Sequence, residues 1–289
     1  MSGSTGADRI QSREHFKKFL TSYEKIINKF SGFVSIEPSG SYNSNSNKQD
    51  FGDIDLITFI QSNKDKKILK KELATYFETL PDSVIVPFKS EKYKGKKILN
   101  TGEIITIRYH DEELGYSVQI DNIIALDKTE ANFKKKFLDF PAEKQGLILG
   151  LVKVATIEQS LKSLFTKLDI KVPTKLPKDE EYEFNLSSVE LQLRHVVYEP
   201  DSFKQKSRTV VWSSRNFDDI NKILYKYKLD VSFDDLLEQV KRNIKNPRSN
   251  NRIKGLFGSM ITVKSGEIGT SKGNEKERAL QKINDVLGE

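Results

Sequence analysis

Asp53 and Asp55 stand two residues apart in the run Asp53-Ile54-Asp55-Leu56-Ile57, whose other members are apolar. Side chains on a strand alternate, so a strand here projects both carboxylates from one face and Ile54 and Leu56 from the other. Two acids in one small volume repel, and both stay ionised chiefly when a hard cation such as magnesium lies between them. Asp121 ends a second strand-like run, Ser117-Val118-Gln119-Ile120-Asp121, and is the third acid that a pair of ions needs. Gly40 and Ser41, separated from Asp53 by eleven residues, supply a complementary element. Glycine lets backbone approach a triphosphate closely, and an amide and a hydroxyl can donate hydrogen bonds to it.

Such residues act only if elements position them. Phe16, Phe19, Leu20, Tyr23, Ile26, Ile27 and Phe30 recur at helical spacing, which predicts an amphipathic helix over residues 12 to 30. Residues 33 to 36 read as a short strand, 38 to 52 as a polar loop, 53 to 60 as a strand and 64 to 79 as a helix. Strand-like runs follow at 83 to 88, 103 to 109 and 116 to 125, with Lys94-Gly95 and Glu113-Leu114-Gly115 as turns. Helical periods then dominate, near 128 to 138, 141 to 167, 185 to 197, 216 to 227, 233 to 244 and 273 to 287. The expected fold class is α+β: a catalytic domain over 12 to 127 and a mainly helical domain over 128 to 289. Residues 1 to 11, rich in Ser and Gly, read as a mobile leader, and 171 to 181 as an exposed connector.

Composition narrows the chemistry. With no cysteine among 289 residues, disulfides and thiolate zinc sites are excluded, and the three histidines, His15, His110 and His195, lie far apart in sequence. A metal is then expected on carboxylate oxygens. No run reaches the ~20 apolar residues of a membrane helix, and no signal-peptide core opens the chain, so a cytoplasmic location is expected. The net charge is +7, and residues 241 to 289 hold eleven Lys or Arg against five Asp or Glu. That segment attracts polyphosphate if it is more than a solvated lysine-rich surface.

The segment GSYNSNSNKQDFGDIDL, followed by VQID, resembles the signature of the DNA polymerase β-type nucleotidyltransferase superfamily, over about residues 33 to 125. The resemblance implies a mixed sheet with flanking helices, an NTP donor and two Mg2+ or Mn2+ ions. Asp53 and Asp55 would bridge both ions, and Asp121 would bind the one that activates the attacking hydroxyl and accept its proton. Gly40 and Ser41 would grip the triphosphate. Leu147 to Val154 is similar to a helix of poly(A)- and uridylyl-transferring relatives, which makes Lys153 a candidate for the triphosphate.

The basic end suggests RNA as the acceptor, with Lys254, Lys264 and Lys272 along its path. A small molecule, another nucleotide or a protein hydroxyl is the alternative acceptor, and a non-catalytic binding protein on the same fold is the remaining possibility. Asp50 reads as a solvated acid or a neighbour of the ligands. The stretch Phe88 to Lys97 interleaves aromatic and basic residues, and a plain charged hairpin is a stronger reading than a base-stacking one. The segment 269 to 276 lacks the order of a phosphate loop.

Overall fold

A computed structural model describes residues 5–140, 145, 148–152, 155, 161–173, 175–187, 190–200, 204–225 and 227. The chain divides into two compact units, residues 1–141 and 142–289.

In the first unit, helix α1 (Arg13–Ile27) starts where the Ser12 hydroxyl accepts from the His15 N–H, and it buries Phe16, Phe19, Tyr23 and Ile27 on one face. Strands β1 (Phe33–Pro38) and β2 (Ile54–Ile60) flank a one-turn helix α2 (Ser41–Ser44), and helix α3 (Lys66–Thr79) follows, capped by Asp65. Strands β3 (Ile98–Thr101), β4 (Ile104–Asp111) and β5 (Tyr116–Ala125) complete a five-stranded mixed sheet of order β1-β2-β5-β4-β3. Only the β2/β5 pair is parallel. Ile54, Leu56, Ile60, Val118, Ile120 and Ile124 on one face join α1 and α3 in the larger core. Ile57 and Ile123 face the other way and meet Ala131 of helix α4 (Lys128–Leu138).

α4 therefore belongs with the first unit, and the boundary expected at 127 moves to 141. The strand expected over 83 to 88 is reduced to one bridge, Ile85 to Tyr109, with Val86 N–H donating to Arg108 and His110 N–H to Val84. Pro87 lacks an N–H to extend that pairing, and β3 holds the edge of the sheet instead. Of the expected mobile leader, residues 1–4 lie outside the described residues, and residues 5–10 correct the expectation. Thr5, Ala7 and Ile10 are buried, and residues 5–10 hydrogen-bond to Phe51, Lys89 and Ser117.

Beneath the β3–β4 turn lies a cluster of buried ions. Lys134, fully buried, donates to Glu103 and Ile124 O at 2.5 Å each and pairs with Glu130 at 2.9 Å. Lys66 pairs with Glu130 and Glu103, and Lys70 donates to Gly102 O.

In the second unit, helix α5 (Leu161–Lys167) precedes β6 (Glu180–Leu186), β7 (Leu191–Tyr198) and β8 (Gln205–Ser214), an antiparallel three-stranded sheet, and helix α6 (Phe217–Leu224). The helix expected over 185 to 197 is thus strand. Leu191 and Leu193 are buried while Gln192 between them is not, a period of two, and both flanks of β7 are paired. The helices expected near 233 to 244 and 273 to 287 lie outside the described residues.

Candidate active site

The site is built from the meeting of β1, β2, β5 and β4. Ile54 and Leu56 are fully buried in the larger core, which turns Asp55 to the opposite face, as alternation predicts. Asp53 directly precedes the strand. The parallel register sets Asp55 opposite Asp121, and the antiparallel register sets Thr106 of β4 opposite Asp121 on its other side. Sequence spacing of 66 residues between the two aspartates has become a cross-strand neighbourhood.

The loop before β2 is fixed against the same spot. Ser39 N–H donates to Asp55 O at 2.9 Å, and Gly40 follows at φ 66 and ψ −138. A Cβ added at Gly40 would collide with the Asp55 carboxylate, so glycine is required both by conformation and by closeness to that group. Ser41 begins α2 immediately beyond. Arg13 staples the rest of the loop: its Nε donates to Lys48 O at 3.1 Å and its Nη2 to Tyr42 O at 2.9 Å and Asn45 O at 2.6 Å. Its guanidinium lies 4.6 Å from the Tyr42 ring centroid.

Electrostatics set the three acids apart. Burial pushes Asp55 well above the usual aspartate value, the charges of Asp53 and Asp121 add to this, and Lys48 opposes it. Burial likewise raises Asp53, against the pull of Lys48 and Arg9. Asp121 is pushed up to about 6, chiefly by burial; the Thr106 hydrogen bond opposes the shift, the Asp53 charge adds to it, and Gln119 opposes it. Thr106 Oγ1 donates to Asp121 Oδ1 at 2.6 Å and Gln119 Nε2 to Oδ2 at 3.0 Å. Among the described residues, burial of Asp53 and Asp55 is opposed by positive charge and by no such hydrogen bond.

Hard oxygen donors, mutually repelling and short of positive partners, suit a divalent cation of the magnesium class. Among the described residues, no three His, Cys, Asp or Glu side chains stand closely enough, as placed, to cage an ion. The fit therefore lies in the donor chemistry and the register.

Asp50 is exposed and pairs with Arg9 at 2.5 Å, outside the trio. Phe88 is buried, which removes it from any base-stacking role. Lys153, Lys254, Lys264 and Lys272 lie outside the described residues. Sequence reasoning missed Thr106, Gln119 and Arg13. The period of two from Asp121 does reach Gln119, but only the β4 register identifies Thr106. No helix among the described residues is long and apolar enough to cross a membrane. The chain matches no protein-family model and no curated protein.

Proposed function

We propose that the chain is a metal-dependent nucleotidyltransferase of the polymerase β type, moving a nucleoside monophosphate from an NTP to an acceptor hydroxyl. The observation that carries this reading is the parallel β2/β5 register, which sets Asp121 against Asp55 while Gly40 abuts the Asp55 carboxylate. Asp53, Asp55 and Asp121 would hold two Mg2+ or Mn2+ ions, which would supply the positive charge that a triphosphate and a developing alkoxide require. Gly40 leaves room for the phosphates beside β2, and the Ser41 hydroxyl donates to them. Asp121 accepts the proton of the acceptor hydroxyl as that hydroxyl's oxygen bonds the α-phosphorus and the bond to the departing pyrophosphate breaks.

The excess of basic residues over 241 to 289 favours RNA as acceptor. The test is a screen of labelled NTPs with Mg2+ or Mn2+, alone and with RNA, DNA, tRNA and small-molecule extract, with products identified by mass. Release of pyrophosphate with an NMP-extended RNA is expected. Transfer to a small molecule alone would replace RNA as acceptor, and no transfer to any acceptor would contradict the assignment.

A further inference from the structure

Residues 5 to 11 form no helix or strand, yet Ile10 is fully buried in the larger core and the segment is held in place from three directions. Lys89 N–H donates to Thr5 O, Asp8 N–H to Ser117 O, and Ile10 exchanges both backbone hydrogen bonds with Phe51, all at 2.9–3.0 Å. Gly6 adopts φ 68, and a Cβ there would stand 3.0 Å from the Ser90 nitrogen, so the close approach to residues 89 and 90 depends on glycine.

The result is to place the fully buried Thr5 hydroxyl 3.1 Å from Gln119 Oε1, to which it donates. A side-chain amide has a donor end and an acceptor end. With Oε1 accepting from Thr5, Nε2 is the end presented to Asp121, and it donates to Oδ2 at 3.0 Å. The reversed amide would set an oxygen against a carboxylate. Thr106 holds the other carboxylate oxygen, so the plane of Asp121 is fixed from both sides while each oxygen keeps further acceptor capacity.

We propose that Thr5 and Gln119 are positioning residues for the Asp121 carboxylate, so that docking of residues 5 to 11 is part of assembling the site. This rests on the reading of Asp121 as a member of a nucleotidyl-transfer site. Outer partners that orient an ion-binding group characteristically change affinity or activity by about 10–100-fold when removed.

The experiment compares full-length wild type, Thr5→Val, Thr5→Ser, Gln119→Met and the Thr5→Val/Gln119→Met pair. Three quantities are read: Mn2+ affinity without nucleotide by electron paramagnetic resonance, kcat and KM with Mg-NTP, and melting temperature. Thr5→Val keeps the side-chain shape and is expected to lower kcat and weaken Mn2+ binding by about tenfold, with KM for NTP little changed. Thr5→Ser should restore both. In the Gln119→Met background the Thr5→Val effect should vanish, because the link it works through is gone.

Wild-type kcat and Mn2+ affinity in Thr5→Val, whatever its melting temperature, would overturn the proposal, as would two losses that simply multiply. If Thr5→Val melts too low to assay, Gln119→Met decides: a tenfold loss supports the proposal, and wild-type values overturn it. A wild type that neither binds Mn2+ nor turns over NTP defeats the nucleotidyl-transfer reading, and this inference with it.

Discussion

Two acidic groups in the first unit are treated in opposite ways. Glu130 and Glu103 meet Lys134 and Lys66 in direct ion pairs. Burial alone would raise Glu130, but Lys134, Lys66 and the Leu126 N–H outweigh it and hold it below the usual glutamate value. At the carboxylate trio, by contrast, Lys48 and Arg9 at Asp53, Lys48 at Asp55 and the Thr106 and Gln119 hydrogen bonds at Asp121 fail to offset burial, and all three acids are raised. One region has acids satisfied by the chain itself. The other leaves charge for something else to satisfy, which is the pattern expected where structural economy yields to function.

The largest effects are expected at the trio. Asp53→Ala or Asp55→Ala is expected to reduce NMP transfer by on the order of 10^4-fold or more, about 5 kcal/mol in the barrier. Thermal stability of the metal-free protein should be unchanged or raised, because one of the mutually repelling acids is gone. Transfer assays and melting curves on the same samples check both halves, and transfer at the wild-type rate would remove the residue from the site.

The ion-paired cluster should behave in reverse. Lys134→Met strands Glu130 in the interior with Lys66 alone, and loss of one partner of a buried pair costs about 3–5 kcal/mol of stability. Urea unfolding should show that loss, while the folded fraction retains transfer. A variant as stable as the wild type would mean that the cluster contributes no net stability.

pH separates the two regions more gently. Folded Asp121 sits at about 6 against an unfolded value of about 3.9, so its contribution is fully present below pH ~4 and is lost as pH rises through ~6. Asp53 and Asp55, raised in the same sense, act in the same direction. Glu130, lowered, does the opposite: its contribution is present above the unfolded glutamate value and lost as pH falls below it. Metal-free protein should therefore lose about 1–2 kcal/mol from Asp121 between pH 5 and 7.5 in urea melts, and added Mn2+ should restore stability most at the upper end. In Asp121→Asn the part of the slope due to this group should disappear. An unchanged slope would show that Asp121 does not titrate there.

Much of the site was legible because strand alternation is local information. Asp53 to Ile60 and Tyr116 to Ala125 carried their apolar pattern openly, and β2 and β5 formed where that pattern lay. What no local pattern could show was the cross-strand register that sets Thr106 and Asp55 on either side of Asp121, since pairing partners are chosen by the whole sheet. Residues 1 to 11 misled for the same reason: the Ser- and Gly-rich start looks like a loose leader until the partners of Thr5, Asp8 and Ile10 at 89, 117 and 51 are known. At 185 to 197 the spacing read as a helical period, but Leu191 and Leu193 alternate with Gln192. Leu186 pairs with Leu191 and Ser187 N–H donates to Glu190 O, so β7 runs back along β6. There tertiary pairing overrode helix propensity.

The central claim, that Asp53, Asp55 and Asp121 hold the ions of an NTP-using site, is tested most directly by anomalous diffraction from crystals grown with Mn2+ and a non-hydrolysable NTP analogue. Anomalous density bounded by these three carboxylates is expected, with the triphosphate against Gly40 and Ser41. Manganese and nucleotide bound elsewhere, with the three aspartates making no contact to either, would contradict it.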